Sequence, residues 1–591
     1  MEKLDRKMAD DMENIQKAML DIRANRSLPN SLVPINIIPD ELMSRIFIFC
    51  AEWLRPILTQ PREGEKAVEG WIVLTHVCQR WRSVALDTPR LWISPAFKYP
   101  SLAFEMLRRS KDAPLIIQYD LHPMTPRAWA ALDEALDHIN HIGDLELSQT
   151  DESQLQRLIS KLTHPAPLLR KLSLKFHRTI SSSGSGVVVF PDHFFGNQIP
   201  RLTHLKLEYC YVPWDSLFFN NLSSLTCFTI GLGDQAAYQF LTRRRLFDIL
   251  AKMSQLQKLE LLWPAPSLNP EVAHSPPLFF PHLRFLAVSS TIRNCVKFLD
   301  DISFPDSTVV EFRYCQFGAQ NQAEMAEELH LLKPVLTRFL GTGVHREGIS
   351  SLFLGINDTD FGDLKLEAWT PYSVSTPPDC CDLKPDCWAS GSLHPSSPRL
   401  LMEVQCPPET SFSVDDLVNA IVPSLTLKSL KRLKIEFERS VISTATFSKN
   451  FATLPELTYV AVWGGVFHDV VHLLGETLPE PPHHSRVPIA FLEHSKPVRE
   501  AIMAFPALER IHLMHIDFKS HPTLLSSFLS ACQRRRKNGS HIRTIKLDNC
   551  RLSDWQEWSL DDAFFGRNEE CTWGRNQSYN FSEDESESDT E

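Results

Sequence analysis

An α/β fold is predicted: a short helical segment near the N-terminus, then a repeat solenoid built as a curved parallel sheet with outer helices. Two observations carry it. Between residues 34 and 95, apolar side chains recur at three- and four-residue spacing within segments bounded by prolines. From about residue 138, a short apolar phrase returns at roughly regular intervals, with helical patterns between the copies. The chain has 591 residues and a hydrophobic fraction of 43%, enough to bury one very long core or several ordinary ones.

Charge and targeting narrow the classes next. Net charge is −11 and the pI is near 6.1, with Lys and Arg spread along the chain, which argues against a nucleic-acid binder held by phosphate contacts. Met1 to Asn30 lacks the apolar run of a signal peptide, and no stretch of about 18 apolar residues follows that would span a bilayer. A cytoplasmic or nuclear protein with a protein partner is expected, without nucleic acid or membrane. The 13 cysteines form no regular framework, and Cys210, Cys315 and Cys550 sit within apolar repeats, where a free thiol behaves as a small buried hydrophobe.

Residues 1–30 carry Leu4, Met8, Ile15 and Ile22 among charges, a spacing suited to one amphipathic helix. Pro29 and Pro34 end it. Ile38-Pro39-Asp40-Glu41-Leu42 then opens a second helix, with proline and acids suited to a first turn. Leu42, Ile46 and Phe49 fall on one face of that helix, which Met43, Phe47 and Cys50 widen. A further helix is expected from Val73 to Leu86, where Leu74, Val77, Cys78, Trp81 and Ala85 share the spacing; Asp87-Thr88-Pro89 stops it, and Leu91-Trp92 follows.

The order I-P-D-E-L-x(3)-I-F, V-C-x(2)-W-R, T-P-x-L-W resembles the F-box of the fungal F-box and F-box-like proteins, over about 55 residues. The proline-containing insert from Leu54 to Gly70 is longer than the connection usual in that family. The resemblance implies that residues 34–95 dock the Skp-type adaptor of a cullin-RING ubiquitin ligase through Ile38, Pro39, Leu42, Ile46, Phe47, Val77, Cys78, Trp81, Leu91 and Trp92. Independently, short helices with apolar residues around most of their circumference cannot bury them all within about 55 residues, so part of that surface should pack elsewhere. Elsewhere is either another protein or the large domain that follows, which the helices would then cap.

The solenoid is assigned to residues 100–565. Its phrase is apolar, two residues, apolar, one residue, apolar. It reads Ile142/Leu145/Leu147, Leu169/Leu172/Leu174, Leu202/Leu205/Leu207, Leu225/Phe228/Ile230, Leu256/Leu259/Leu261, Leu283/Leu286/Val288 and Ser307/Val310/Phe312, with starts 23 to 33 residues apart. Leu430/Leu433/Ile435, Leu457/Val460/Val462, Leu508/Ile511/Leu513 and Ile542/Ile545/Leu547 follow. Two copies extend to Cys210-x-Val212 and Cys550-x-Leu552, the full leucine-rich-repeat pattern. Strand and helix alternating in this way predict a parallel sheet whose strands expose alternate side chains, such as Thr544, Lys546, Asp548, Arg510 and His512. The identities of these outward residues vary, so they give no shared ligand chemistry.

The pattern degrades between Gly318 and Asp415, and Ser373 to Pro398 reads as a proline- and serine-rich loop. Its Cys380, Cys381, Cys387 and His394, with Cys406 beyond, lack paired C-x(2)-C knuckles, so no metal is expected. Leu478 to Pro488 reads as a second loop, and 566–591 as an acidic disordered tail ending S-E-D-E-S-E-S-D-T-E. Ser582, Ser586 and Ser588 in that tail suit acid-directed kinases. Arg534-Arg535-Arg536-Lys537 reads as a solvated helix end or a nuclear import signal.

No phosphate loop, metal-binding H-E-x(2)-H or nucleophile elbow occurs, so no catalytic residue, cofactor or enzyme activity is expected. Two binding readings follow: a substrate-recognition subunit of a ubiquitin ligase with an unidentified protein substrate, or a stand-alone leucine-rich-repeat scaffold.

Overall fold

The structure is a computed structural model. It describes residues 17, 33–53, 70–119, 125–149, 151–176, 188–191, 193–211, 218–219, 222–231, 243–262, 277–316, 322–340, 348–357, 363–370, 398–405, 414–437, 442–479, 501–564 and 572–576. The expected helix of 1–30, the insert of 54–70, the cysteine-containing loop of 373–398 and the end of the tail lie outside these, apart from single positions. The chain divides into two compact units, Met1–Leu241 with Arg245–Leu256, and Thr242–Arg244 with Gln257–Glu591.

The first unit begins with helices α1 (Asp40–Trp53), α2 (Gln79–Leu86) and α3 (Pro100–Ser110). Where one helix was expected from Val73 to Leu86, a 3-10 turn (Gly70–His76) precedes α2. Cys78 separates the two: its backbone is extended, and its Sγ accepts the Trp81 N–H at 3.5 Å as the N-cap of α2. Ile72, Val73 and Thr75 are β-branched and lose side-chain freedom in a helix, which disfavours an uninterrupted one.

Five parallel strands complete the sheet of this unit: β1 (Leu115–Tyr119), β2 (Ile142–Gln149), β3 (Lys171–Phe176), β4 (His204–Glu208) and β5 (Cys227–Gly231). They lie in chain order. Helices α4 (Pro126–Asp137) and α5 (Glu152–Lys161) fall between strands, and α5 buries Leu155, Leu158 and Ile159.

Eleven strands form the main sheet of the second unit among its described residues. They are β6 (Lys258–Leu262), β7 (Phe285–Val288), β8 (Val309–Gln316), β9 (Ser351–Asn357), β10 (Asp363–Trp369), β11 (Leu400–Gln405), β12 (Arg432–Glu436), β13 (Tyr459–Trp463), β14 (Arg510–Met514), β15 (Thr544–Asp548) and β16 (Thr572–Asn576). Their order is β6-β7-β8-β11-β10-β9-β12-β13-β14-β15-β16. Every pairing is parallel except those of β10, which runs antiparallel to both its neighbours. Helices α6 (Val414–Ile421), α7 (Thr444–Phe451), α8 (Val466–Leu474) and α9 (Pro522–Lys537) pack side by side in chain order. Phe467 of α8 meets Phe528 of α9 with ring centres 5.4 Å apart.

The apolar phrase is what the sheet buries. All its apolar positions are buried, while Ser307, the polar first position of one copy, is exposed. Leu205 aligns with Leu172 and Phe228, Leu259 with Leu286, and Ile545 with Ile511, always across parallel strands. Burial of each is worth roughly 1.5–3 kcal/mol. The residue after the first apolar position links neighbouring copies, since the carbonyls of Arg170, Thr203, Lys431 and Thr458 each accept two backbone N–H groups from the next copy. Thr203, Thr226 and Thr458 add a hydroxyl bond to the same rung. The cysteines end the phrase, as Cys210, Cys315 and Cys550 donate from Sγ to the carbonyls of Leu174, Val288 and Leu513 on the preceding strand. Burial pushes the Cys210 thiol up to about 12.

Three expectations are corrected. The interval Gly318 to Asp415 contains a further copy, Ile349/Leu352/Leu354, wholly buried, with Ile349 just before β9 and Leu352 and Leu354 on it in register with Leu433 and Ile435 of β12. Residues 572–576, assigned to the disordered tail, add strand β16 to the open edge of β15; unpaired backbone groups at a sheet edge template such an addition. Arg535, read as part of a solvated helix end, is fully buried. Its guanidinium donates to the carbonyls of Ser540, Leu474, Ala504 and Phe505, which satisfies the buried cation.

Candidate functional site

Helix α1 has apolar residues on two sides, and among the described residues only one of them packs into a core. Met43 and Phe47 point into a core shared with Trp71, Leu74, Leu91, Trp92 and Met106 of α3. Phe47 packs against the Trp81 ring with centroids 5.1 Å apart, and Trp71 meets Trp92 edge-on at 5.0 Å. The Trp92 indole N–H donates to the Ala85 carbonyl at 2.9 Å, which fixes the T-P-x-L-W segment beneath α2. On the other side, Leu42, Ile46 and Phe49 are 49%, 39% and 66% exposed, while Val77, after the 3-10 turn, is 55% exposed. An i, i+4, i+7 spacing puts the three helical residues on one stripe.

The start of α1 is held in place by charge. Arg80 of α2 reaches the Asp40 carboxylate through two nitrogens, at 2.6 and 3.1 Å, and donates to the Ile38 carbonyl. This clamp ties I-P-D to the W-R segment 40 residues later and so orients the exposed stripe.

The ten residues named as a docking set therefore divide. Pro39, Leu42, Ile46 and Val77 are exposed, and Ile38, Cys78 and Trp81 are partly so. Phe47, Leu91 and Trp92 are 1%, 3% and 4% exposed and belong to the supporting core, not to a contact surface. Sequence spacing alone missed this, because the same periodicity describes both sides of a helix that is apolar all round. Phe49 is a surface residue absent from that set; its place one turn beyond Ile46 is the signal that points to it.

In each unit the strands also present a face opposite the buried phrase. Its outward residues vary, but an internal ion pair recurs among them. Five strands carry a cation and an acid two residues apart on the same face: Lys206–Glu208, Lys258–Glu260, Lys365–Glu367, Lys434–Glu436 and Lys546–Asp548, each paired at 2.8 to 3.3 Å. The period of two along a strand makes each pair neighbours. The signal was present as L-K-L-E, L-K-I-E and I-K-L-D. On β13 to β15 an additional relay forms: the Tyr459 hydroxyl lies 2.9 Å from Nδ1 of His512, whose Nε2 lies 2.6 Å from Oδ2 of Asp548. Burial alone would raise the Asp548 carboxyl, but His512 and Lys546 hold it below the usual range. At the strand ends, the His515 ring stacks on Trp463 at 3.9 Å and 13°.

Among the described residues no helix is long and apolar enough to cross a membrane. No model of a known protein family matches the chain, and no curated protein matches its sequence.

Proposed function

We propose that this protein is the substrate-recognition subunit of a cullin-RING ubiquitin ligase, with an F-box at residues 34–95 and a leucine-rich-repeat solenoid after it. The observation that carries the reading is the uncovered apolar stripe of Leu42, Ile46 and Phe49 on a helix whose opposite side already has its own core. Exposed apolar surface of this kind marks contact with another protein. The sequence order of the helical segment names the Skp-type adaptor as that protein, and the repeat phrase with its parallel strands supports the solenoid assignment. The chain would perform no chemistry; it would speed ubiquitin transfer by raising the effective concentration of a protein substrate beside the ligase.

A second reading rests on Met106, which places α3 in the core of the helical segment. Under it the helices only cap a stand-alone repeat scaffold. Co-precipitation of the full chain with a Skp-type adaptor separates the two. Recovery that is lost in Leu42→Asp supports the ligase subunit, and no recovery by the wild type supports the scaffold.

A further inference from the structure

The lysine–acid pairs neutralise one another, so the charges left over beside them stand out. On β12 to β15 the face carries Lys434 with Glu436 and Lys546 with Asp548, all paired. Arg432 and Arg510 remain. Neither guanidinium has a hydrogen bond or ion pair among the described residues, and Arg510 is exposed. They are not scattered: the register aligns Arg432 with Tyr459, and Tyr459 with Arg510. With adjacent strands about 4.8 Å apart, the arginines lie about 10 Å from one another across the tyrosine. Thr544 extends the same row on β15.

We infer that this row, Arg432, Tyr459, Arg510 and Thr544, is where the strand face holds an Asp- and Glu-rich segment of a protein substrate. The inference rests on the substrate-recognition reading and names its substrate class. Charge complementarity carries it: two unpaired guanidiniums bracket a row that holds no acid, and a guanidinium presents the forked donors that carboxylates take up in pairs. A run of carboxylates along an extended segment crossing the strands meets both arginines in turn. A basic segment would face two uncompensated cations and is rejected by like charge.

The test uses the full chain and a fluorescein-labelled decaglutamate peptide, followed by fluorescence anisotropy, with decalysine as the opposite probe. Wild type binds decaglutamate and not decalysine, and binding weakens as salt screens the exposed pairs. Each of Arg432→Ala and Arg510→Ala weakens binding roughly fivefold, as expected for one exposed ion pair. The double reversal Arg432→Glu/Arg510→Glu weakens it more than tenfold, whereas Lys519→Glu, an exposed cation off the strand face, leaves it unchanged. Circular dichroism confirms that each variant is folded. Binding that survives the double reversal overturns the inference, as does absence of decaglutamate binding by wild type. Binding that appears only after removal of Ser582–Glu591 also overturns it, since the chain's own acidic end then occupies the row. Adaptor co-precipitation is run alongside: its failure with an intact peptide response strikes the ligase reading and not the row.

Discussion

Phe47 and Leu42 lie five residues apart on α1, yet their substitutions should have opposite consequences. Phe47 is 1% exposed and packs on Trp81, so Phe47→Ala removes a buried ring and leaves a cavity, at about 3–5 kcal/mol. Leu42 is half exposed and lies in the first turn of α1, beside Asp40 and Glu41. Leu42→Asp loses about 0.5 kcal/mol of helix propensity and regains a similar amount from an acid near the positive end of the helix dipole. Its net effect on folding is therefore near zero. Hydrogen exchange of peptides covering 40–53 and 79–92 reads both out, since local opening is measured there without requiring the whole chain to unfold in one step. Phe47→Ala should speed exchange in both peptides by a hundredfold or more, at about 1.4 kcal/mol per decade. Leu42→Asp should leave exchange within a fewfold of wild type and still abolish adaptor capture, because a carboxylate buried unpaired in an apolar contact costs several kcal/mol. Slow exchange in Phe47→Ala, or adaptor capture retained in Leu42→Asp, would refute the division of the helix into a core side and a docking side.

Three further outcomes follow from buried groups. Arg535→Met takes a donor from four carbonyls, of which Phe505 keeps the Leu508 N–H, so a loss of about 3 kcal/mol is expected in denaturant unfolding; a neutral result would contradict that account. Burial raises the Glu403 and Glu367 carboxyls above the ordinary range, against the pull of Lys365. Stability from these two falls as pH rises from the unfolded value of about 4.3 through the raised folded values, and Glu403→Gln should flatten that limb of a Tm-against-pH curve. Cys210, with its thiol pushed up to about 12 by burial, should resist iodoacetamide at mildly alkaline pH, as should buried Cys315 and Cys550, until denaturant is added; mass spectrometry of the native protein checks this.

The strands were legible because the phrase obeys a strict rule: Leu205, Leu259 and Ile545 each need a partner at the same height on the next strand, and only apolar residues serve. The copy at Ile349 follows that rule too, but its neighbours β10 and β11 do not follow the repeat spacing, and this obscured it. The docking residues were half legible. Spacing placed Leu42 and Phe47 on one helix but not on opposite sides of it, since that depends on where Trp81 and Trp92 come to rest. The relay of Tyr459, His512 and Asp548 was beyond sequence reasoning, as its members are brought together by register between strands up to 53 residues apart.

The reversed strand β10 has a topological consequence. In the sheet, β10 and β11 stand between β8 and β9, and they are a pair. Two strands inserted together turn the chain twice and hand it back in its original direction, so β9 and β12 keep the polarity of β8. One hairpin-connected strand alone would have reversed the polarity of the later copies, or left β8 with a parallel neighbour on the β7 side only. Insertion by hairpins is thus a matter of parity: an even number of hairpin-connected strands preserves the direction of the sheet, and an odd number reverses it. The insertion also delays assembly, because β8 must wait for β11, whose paired residues lie about 90 positions further along the chain, before its ladder is complete.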